Sequence, residues 1–190
     1  MKFPICTFDA KVGVLCPRCE ERLRNGEITD ADVKASFALA KLAVQVPALD
    51  KLTLKRAYLI DGDYVLLFNQ GEARALLSNR SLMGKLKEAI GNFWVTEQTS
   101  DMRQFIEDLL YPVRILTVNV VWIPDGTRQI KAVISGSRSA NFPVDLVKAA
   151  KIVKAIKGDD VVFEFERGKF ERGKFERGRP RSAVQGLKGS

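Results

Sequence analysis

Three cysteines and one aspartate near the start of the chain have the spacing of a metal site: Cys6-x2-Asp9, six residues, then Cys16-Pro17-Arg18-Cys19. A knuckle of this kind aims two side chains at one point, and two such pairs can close a tetrahedral zinc site. Asp9 stands where four-cysteine versions carry a thiolate, and carboxylates also ligate zinc, so Cys6, Asp9, Cys16 and Cys19 form the candidate set. Two other readings stay open. The knuckle can be ion-free, packed by Pro4, Ile5, Phe8, Val12, Val14 and Leu15. Alternatively, Cys16 and Cys19 form a redox pair, which would prefer a preceding strand and a long following helix. Glu20–Leu23 can add one helical turn before Asn25-Gly26 ends it. So short a segment gains little from burial alone, and a metal would staple it.

A second stretch with chemical potential is Gln70–Gly91, which follows an expected strand and reads as helix, tight loop, helix. Glu72–Leu77 is a run of helix formers, and Ser78-Asn79-Arg80-Ser81 breaks it with turn and capping residues. From Leu82 the apolar residues Leu82, Met83, Leu86, Ala89 and Ile90 recur at helical spacing until Gly91, with Lys85 among them. A loop that opens a helix presents free amides and the positive end of the helix dipole, and Arg80 adds a cation. The plain alternative is a helix–turn–helix hairpin packed on a sheet.

The elements that must hold this loop occur twice. Thr29 caps a helix with Asp30 and Asp32 in its first turn and Val33, Phe37, Ala40 and Val44 along one face, closed by Pro47. Leu52–Ile60 and Tyr64–Phe68 read as a hairpin about Asp61-Gly62, with Leu52, Leu54, Tyr58 and Ile60 on one side. After the helix–loop–helix comes a third strand, Phe93–Thr99. The order then recurs: helix Asp101–Leu110, strand Val113–Ile123 with Leu116, Val118, Val120 and Trp122 on one face, a turn at Asp125-Gly126, and a return over Arg128–Ser135. A loop at Gly136-Ser137-Arg138-Ser139, a helix over Pro143–Ile156 and a strand over Asp160–Glu166 complete the second copy. Lys148, Lys151, Lys154 and Lys157 line its helix, either as a solvated face or as a nucleic-acid contact near Arg138. Trp94, Trp122 and Tyr58 read as core or sheet-face residues rather than base-stacking platforms.

The duplicated order, with a loop between the two helices, resembles tandem type II KH domains. KH domains use a G-x-x-G loop to clamp the backbone of about four nucleotides. Here serine replaces both glycines in Ser78-Asn79-Arg80-Ser81, and the second loop keeps only Gly136. Over residues 29–166 the chain is similar to the NusA-like transcription factors of archaea. The expected fold is therefore α+β, with a cysteine head (1–28), two KH-like units (29–100 and 101–166) and a disordered basic tail (167–190). The resemblance implies RNA binding in transcription elongation or termination, with RNA and RNA polymerase as partners. A ribosome-associated factor on ribosomal RNA, or an adaptor whose KH units have lost RNA, are the alternatives.

Charge and composition narrow the field further. The net charge is +8, and residues 167–190 carry +6 of it through eight Lys/Arg against Glu171 and Glu176. The tail repeats Phe-Glu-Arg-Gly-Lys from Phe165; its Arg-Gly steps, including Arg172, Arg177 and Arg179, suit weak, salt-sensitive contact with single-stranded RNA or simply solubilise the chain. The sequence contains no histidine, P-loop, dinucleotide fingerprint or recognisable nucleophile arrangement, so a non-catalytic protein without a small-molecule substrate is expected. No apolar run reaches membrane-span length and no secretory segment opens the chain, so a cytoplasmic location without membrane contact is expected.

Overall fold

The computed structural model describes residues 1–124, 126–136 and 142–166. It is a mixed α+β structure with two three-stranded sheets and a cysteine cluster near the N-terminus. The head holds α1 (Thr7–Val12) and α2 (Pro17–Arg24). Next come α3 (Asp30–Gln45), a 3-10 turn at Pro47–Lys51, β1 (Leu54–Ile60), β2 (Asp63–Phe68), α4 (Ala73–Leu77), α5 (Arg80–Ile90) and β3 (Phe93–Glu97). The second round is α6 (Met102–Leu109), β4 (Ile115–Trp122), β5 (Arg128–Ile134), α7 (Leu146–Lys157) and β6 (Asp160–Phe165). Both sheets have the same plan: a hairpin whose second strand is central and pairs in parallel with the last strand.

The two hairpins share an irregularity. The register slips between Leu54 and Arg56 in β1 and at the equivalent place, between Ile115 and Thr117, in β4. An extra residue there reverses the alternation of faces. In β1 the consequence is a division. Leu54 and Ala57 enter the first core, while Tyr58 and Ile60 pack towards the second, so the four apolar residues expected on one side do not share it. In β4 only Ile115 is buried, and the outer end, including Val120 and Trp122, is exposed.

β2 is covered on both faces. Leu66 and Phe68 belong to the core beneath α3, α4 and α5, whereas Val65 and Leu67 belong to the core with Phe105, Ile106 and Leu109 of α6. The two rounds of structure are therefore joined by a shared apolar layer. Polar contacts bind the same seam: Lys148 Nζ lies 2.7 Å from Asp63 and Lys151 Nζ 2.5 Å from Asp61 at the hairpin turn. Asp61 (φ 49°) and Gly62 (φ 83°) both take positive φ, as a tight two-residue hairpin turn requires.

α3 is also buried on two sides. Ala31, Ala35, Leu39 and Leu42 meet the sheet, while Val33 and Ala40, with Phe37 beside them, meet Ile5, Ala10 and Cys19 of the head. The stripe read from sequence is thus the side facing the head, and Val44 at its end is exposed. α7 begins later than expected, at Leu146 with Asp145 as its cap, leaving Pro143 outside the helix. The expected tail lies outside the described residues, as does Asp125.

Asp32 anchors the start of α3 in a capping box. Its buried carboxylate accepts from the Thr29 amide and hydroxyl and from the Ala57 amide, and lies 3.2 Å from Arg56 Nε. Removing it strands several buried donors at once. Asp32→Ala should lower unfolding free energy by about 3 kcal/mol in urea denaturation. A loss of less than about 1 kcal/mol would mean that these bonds contribute little.

Candidate functional site

Cys6 is the N-cap of α1 and Asp9 its third helical residue; Cys16 is the N-cap of α2 and Cys19 its third. Residues three apart at a helix start lie on the same side, so each short helix delivers two ligand groups. The pairs also cross over. The Cys16 amide donates to Asp9 Oδ2 at 3.1 Å, and the Cys6 amide donates to Cys19 Sγ at 3.5 Å, so each N-cap amide serves a ligand on the other helix. The four ligand atoms all lie within 4.8 Å of one another, close enough to bind a single metal ion. Zinc–thiolate bonds of about 2.3 Å set tetrahedral sulfurs about 3.8 Å apart. Cys6 Sγ and Cys19 Sγ are 3.5 Å apart, so slight widening would fit an ion.

Two of the four groups are shifted in opposite directions. Burial, with the hydrogen bond to Asp9, pushes the Cys19 thiol up to about 12. The same hydrogen bond, helped by the Cys16 amide, holds the Asp9 carboxyl below its usual range against the opposing effect of burial. The redox reading fares less well in geometry: α2 has eight residues, no strand precedes it, and Cys19 hydrogen-bonds Cys6.

The loop expected at Ser78–Ser81 is shorter than the sequence reading gave it. Ser78 caps the end of α4 and Asn79 is the N-cap of α5, but Arg80 and Ser81 are already its first two helical residues. Asn79 Oδ1 accepts from the Leu82 amide at 3.1 Å, which takes one of the helix's first donors. The amides of Arg80 and Ser81 have no side-chain acceptor among the described residues. All four residues are exposed, and neither Arg80 nor Lys85 forms an ion pair among the described residues.

The second set of expected contacts is differently placed. Lys148 and Lys151 are committed to Asp63 and Asp61, Lys154 lies 2.8 Å from Asp160, and Lys157 donates to the Thr99 carbonyl over the Phe105 ring. Burial works to raise Asp63, yet hydrogen bonds from Lys148 and Trp94 outweigh it and hold the carboxyl below its usual range. Gly136 takes a positive φ of 109°. Ser137, Arg138, Ser139, Arg172, Arg177 and Arg179 lie outside the described residues.

No family model matches this chain, and no curated protein matches it. Among solved structures it is similar to one described as "Crystal structure of APE1850", at 23% identity and a TM-score of 0.43, covering 67% of this chain and 95% of that one. No helix among the described residues is long and apolar enough to cross a membrane.

Sequence reasoning missed a cavity of about 570 Å3 in the seam between the two rounds, beside Ser78. Arg74 of α4, Arg103 and Asp108 of α6, Tyr111, and Arg114 before β4 contribute to its wall. They come from separate elements, so no local spacing announces them. Asp108 is almost wholly buried, with Gln104 donating to Oδ1 at 2.9 Å and no partner for Oδ2 among the described residues. Burial, with the nearby Glu97 charge, pushes its carboxyl up to about 6.

That shift has a defined sign. Asp108 takes up its proton more readily folded than unfolded, so its contribution is fully favourable below the unfolded value and fades as pH rises through about 6. Asp108→Asn should therefore gain stability relative to wild type, by on the order of 2 kcal/mol, between about pH 4 and about pH 7.5 in paired urea denaturations. A difference that stays flat across that range would contradict the assigned burial.

Proposed function

We propose that this protein is a non-catalytic, NusA-like RNA-binding factor whose first KH-like unit clamps single-stranded RNA and whose head holds a structural zinc ion. One observation carries the RNA reading: the corner at Ser78–Ser81 is exposed, and among the described residues no side chain caps two of its helix-start amides or pairs with Arg80 and Lys85. Amides and unpaired cations at a helix start suit a phosphodiester. The order helix, strand, strand, helix, helix, strand around that corner supports a type II KH unit. In the second unit, Lys148 and Lys151 already have carboxylate partners, so the reading assigns backbone contact mainly to the first.

The zinc reading rests on the donor set. Three cysteine sulfurs and one carboxylate around a single point suit zinc better than a hard, oxygen-seeking cation. Four ligands of a closed set point to a structural ion rather than a catalytic one. When bound, zinc would tie α1 to α2.

A second reading, a protein-docking adaptor, is favoured by one feature. Phe8, Val12 and Val14, in and just after the short helix that carries Asp9, are exposed. Recovery of RNA polymerase from native cells would support the transcription role, ribosomal subunits the ribosomal alternative, and neither of them with no RNA affinity the adaptor.

The RNA reading makes a quantitative demand. Arg80→Ala with Lys85→Ala should weaken binding of single-stranded RNA about tenfold or more and reduce the salt dependence by about one to two phosphate contacts. Cutting the chain after Glu166 should weaken binding but leave that sensitivity in place. If the cut removes all affinity, the clamp is wrong.

For the head, purified protein should carry one equivalent of zinc. Stripping it with a chelator, or introducing Cys16→Ser, should lower Tm by about 10 °C or more. A metal-free wild type that melts with the variant and does not respond to added zinc would remove the metal proposal.

A further inference from the structure

The seam cavity beside Ser78 has a composition that selects among the parts of a nucleotide. Its volume of about 570 Å3 falls within the range of small-molecule sites. Apolar side chains, among them Leu77 and Val113, supply much of the lining, and the half-exposed Tyr111 offers a ring. A flat heterocycle can lie against such surfaces. The cations are divided by their partners. Arg103 Nε is bound to Glu107 at 2.8 Å and Arg74 approaches the same carboxylate, whereas Arg114 has no ion pair among the described residues. Arg114 is thus the group able to take a phosphate without breaking an existing pair.

Asp108 sets the second requirement. It is 3% exposed and belongs both to this cavity's wall and to that of a smaller one beyond Leu77. One of its oxygens has no donor among the described residues, and a buried acceptor left unmatched carries a desolvation cost. A phosphate would be repelled there. An amino group projecting from the rim of a base would be attracted, whereas uracil flanks its single ring N–H with two carbonyls that oppose a carboxylate.

Ser78 joins this cavity to the clamp, since it stands in both. We propose that the cavity receives one unpaired, amino-bearing base (adenine, cytosine or guanine) of the RNA strand held at Ser78–Ser81, with the adjoining phosphate on Arg114. This rests on the RNA reading above for the strand's path, but the cavity's chemistry is its own. The site lies between the two units, not within one helix–loop–helix corner.

The test uses the full chain and four probes in calorimetric titrations: 5′-AMP, 5′-CMP, 5′-UMP and inorganic phosphate. AMP and CMP should bind about fivefold or more tighter than UMP or phosphate. Arg114→Ala should weaken nucleotide binding about tenfold, and Arg114→Lys should restore part of it. Asp108→Asn should erase the preference over UMP while the protein stays folded by circular dichroism. Equal binding of all four probes, an unchanged preference in Asp108→Asn, or indifference to Arg114→Ala would each overturn the proposal. Oligo(A), oligo(C) and oligo(U) separate the two ideas. Binding that needs Arg80 but ignores Arg114 and base identity removes the cavity and leaves the clamp. Nucleotide preference without any affinity for the oligomers keeps the cavity and removes the clamp.

Discussion

Val65 and Leu67 project from one face of β2 and Leu66 and Phe68 from the other, and both faces are dry. A strand inside a half-solvated sheet alternates apolar with polar residues; one buried on both sides becomes a continuous apolar run. The joining of the two rounds depends on this double burial. It places α6 against the back of the first sheet and brings the α4–α5 corner beside the start of β4. The arginine-bearing cavity exists only because of that placement. Thr96, buried at the end of the same layer, donates its hydroxyl to the Phe105 carbonyl and ties β3 to α6 at 3.3 Å.

Charge follows the same division. The carboxylates near the hairpin turn of the first unit face the lysines of α7; the Lys148–Asp63 pair is partly screened from water, whereas the Lys151–Asp61 pair is exposed. Such pairs add little when fully exposed, but at an apolar seam they fix register as well as distance. Of the basic side chains at the α4–α5 corner and the cavity, those that form no ion pair among the described residues are Arg80, Lys85 and Arg114. Counting lysines along a helix therefore gives a poor map of where a polyanion would find free cations.

Much of the fold was legible in the sequence. Thr29 is a cap, Asp101 opens its helix and Asp61-Gly62 is a tight turn, because those signals depend on the few residues around them. The start of α7 was misread, because Pro143 suits a first turn while the cap is Asp145, two residues on. The slips at Leu54/Arg56 and Ile115/Thr117 were not, since a bulge has no strong local signature, and they undid the expected alternation in both hairpins. The stripe on α3 was real but incomplete: a helix covered on two sides has two stripes, and the pattern cannot say which partner each one meets. The cysteine cluster was legible because its four members are near neighbours in the chain. The cavity was not, because Arg74, Asp108 and Arg114 meet only after the two rounds have packed together.

The coupling of Asp61 and Asp63 to α7 bears on how a doubled architecture evolves. Once one copy's basic helix serves as an adhesive for its twin, its side chains are selected for holding on rather than for reaching out. The twin is then free to vary its exposed corner without loosening the whole.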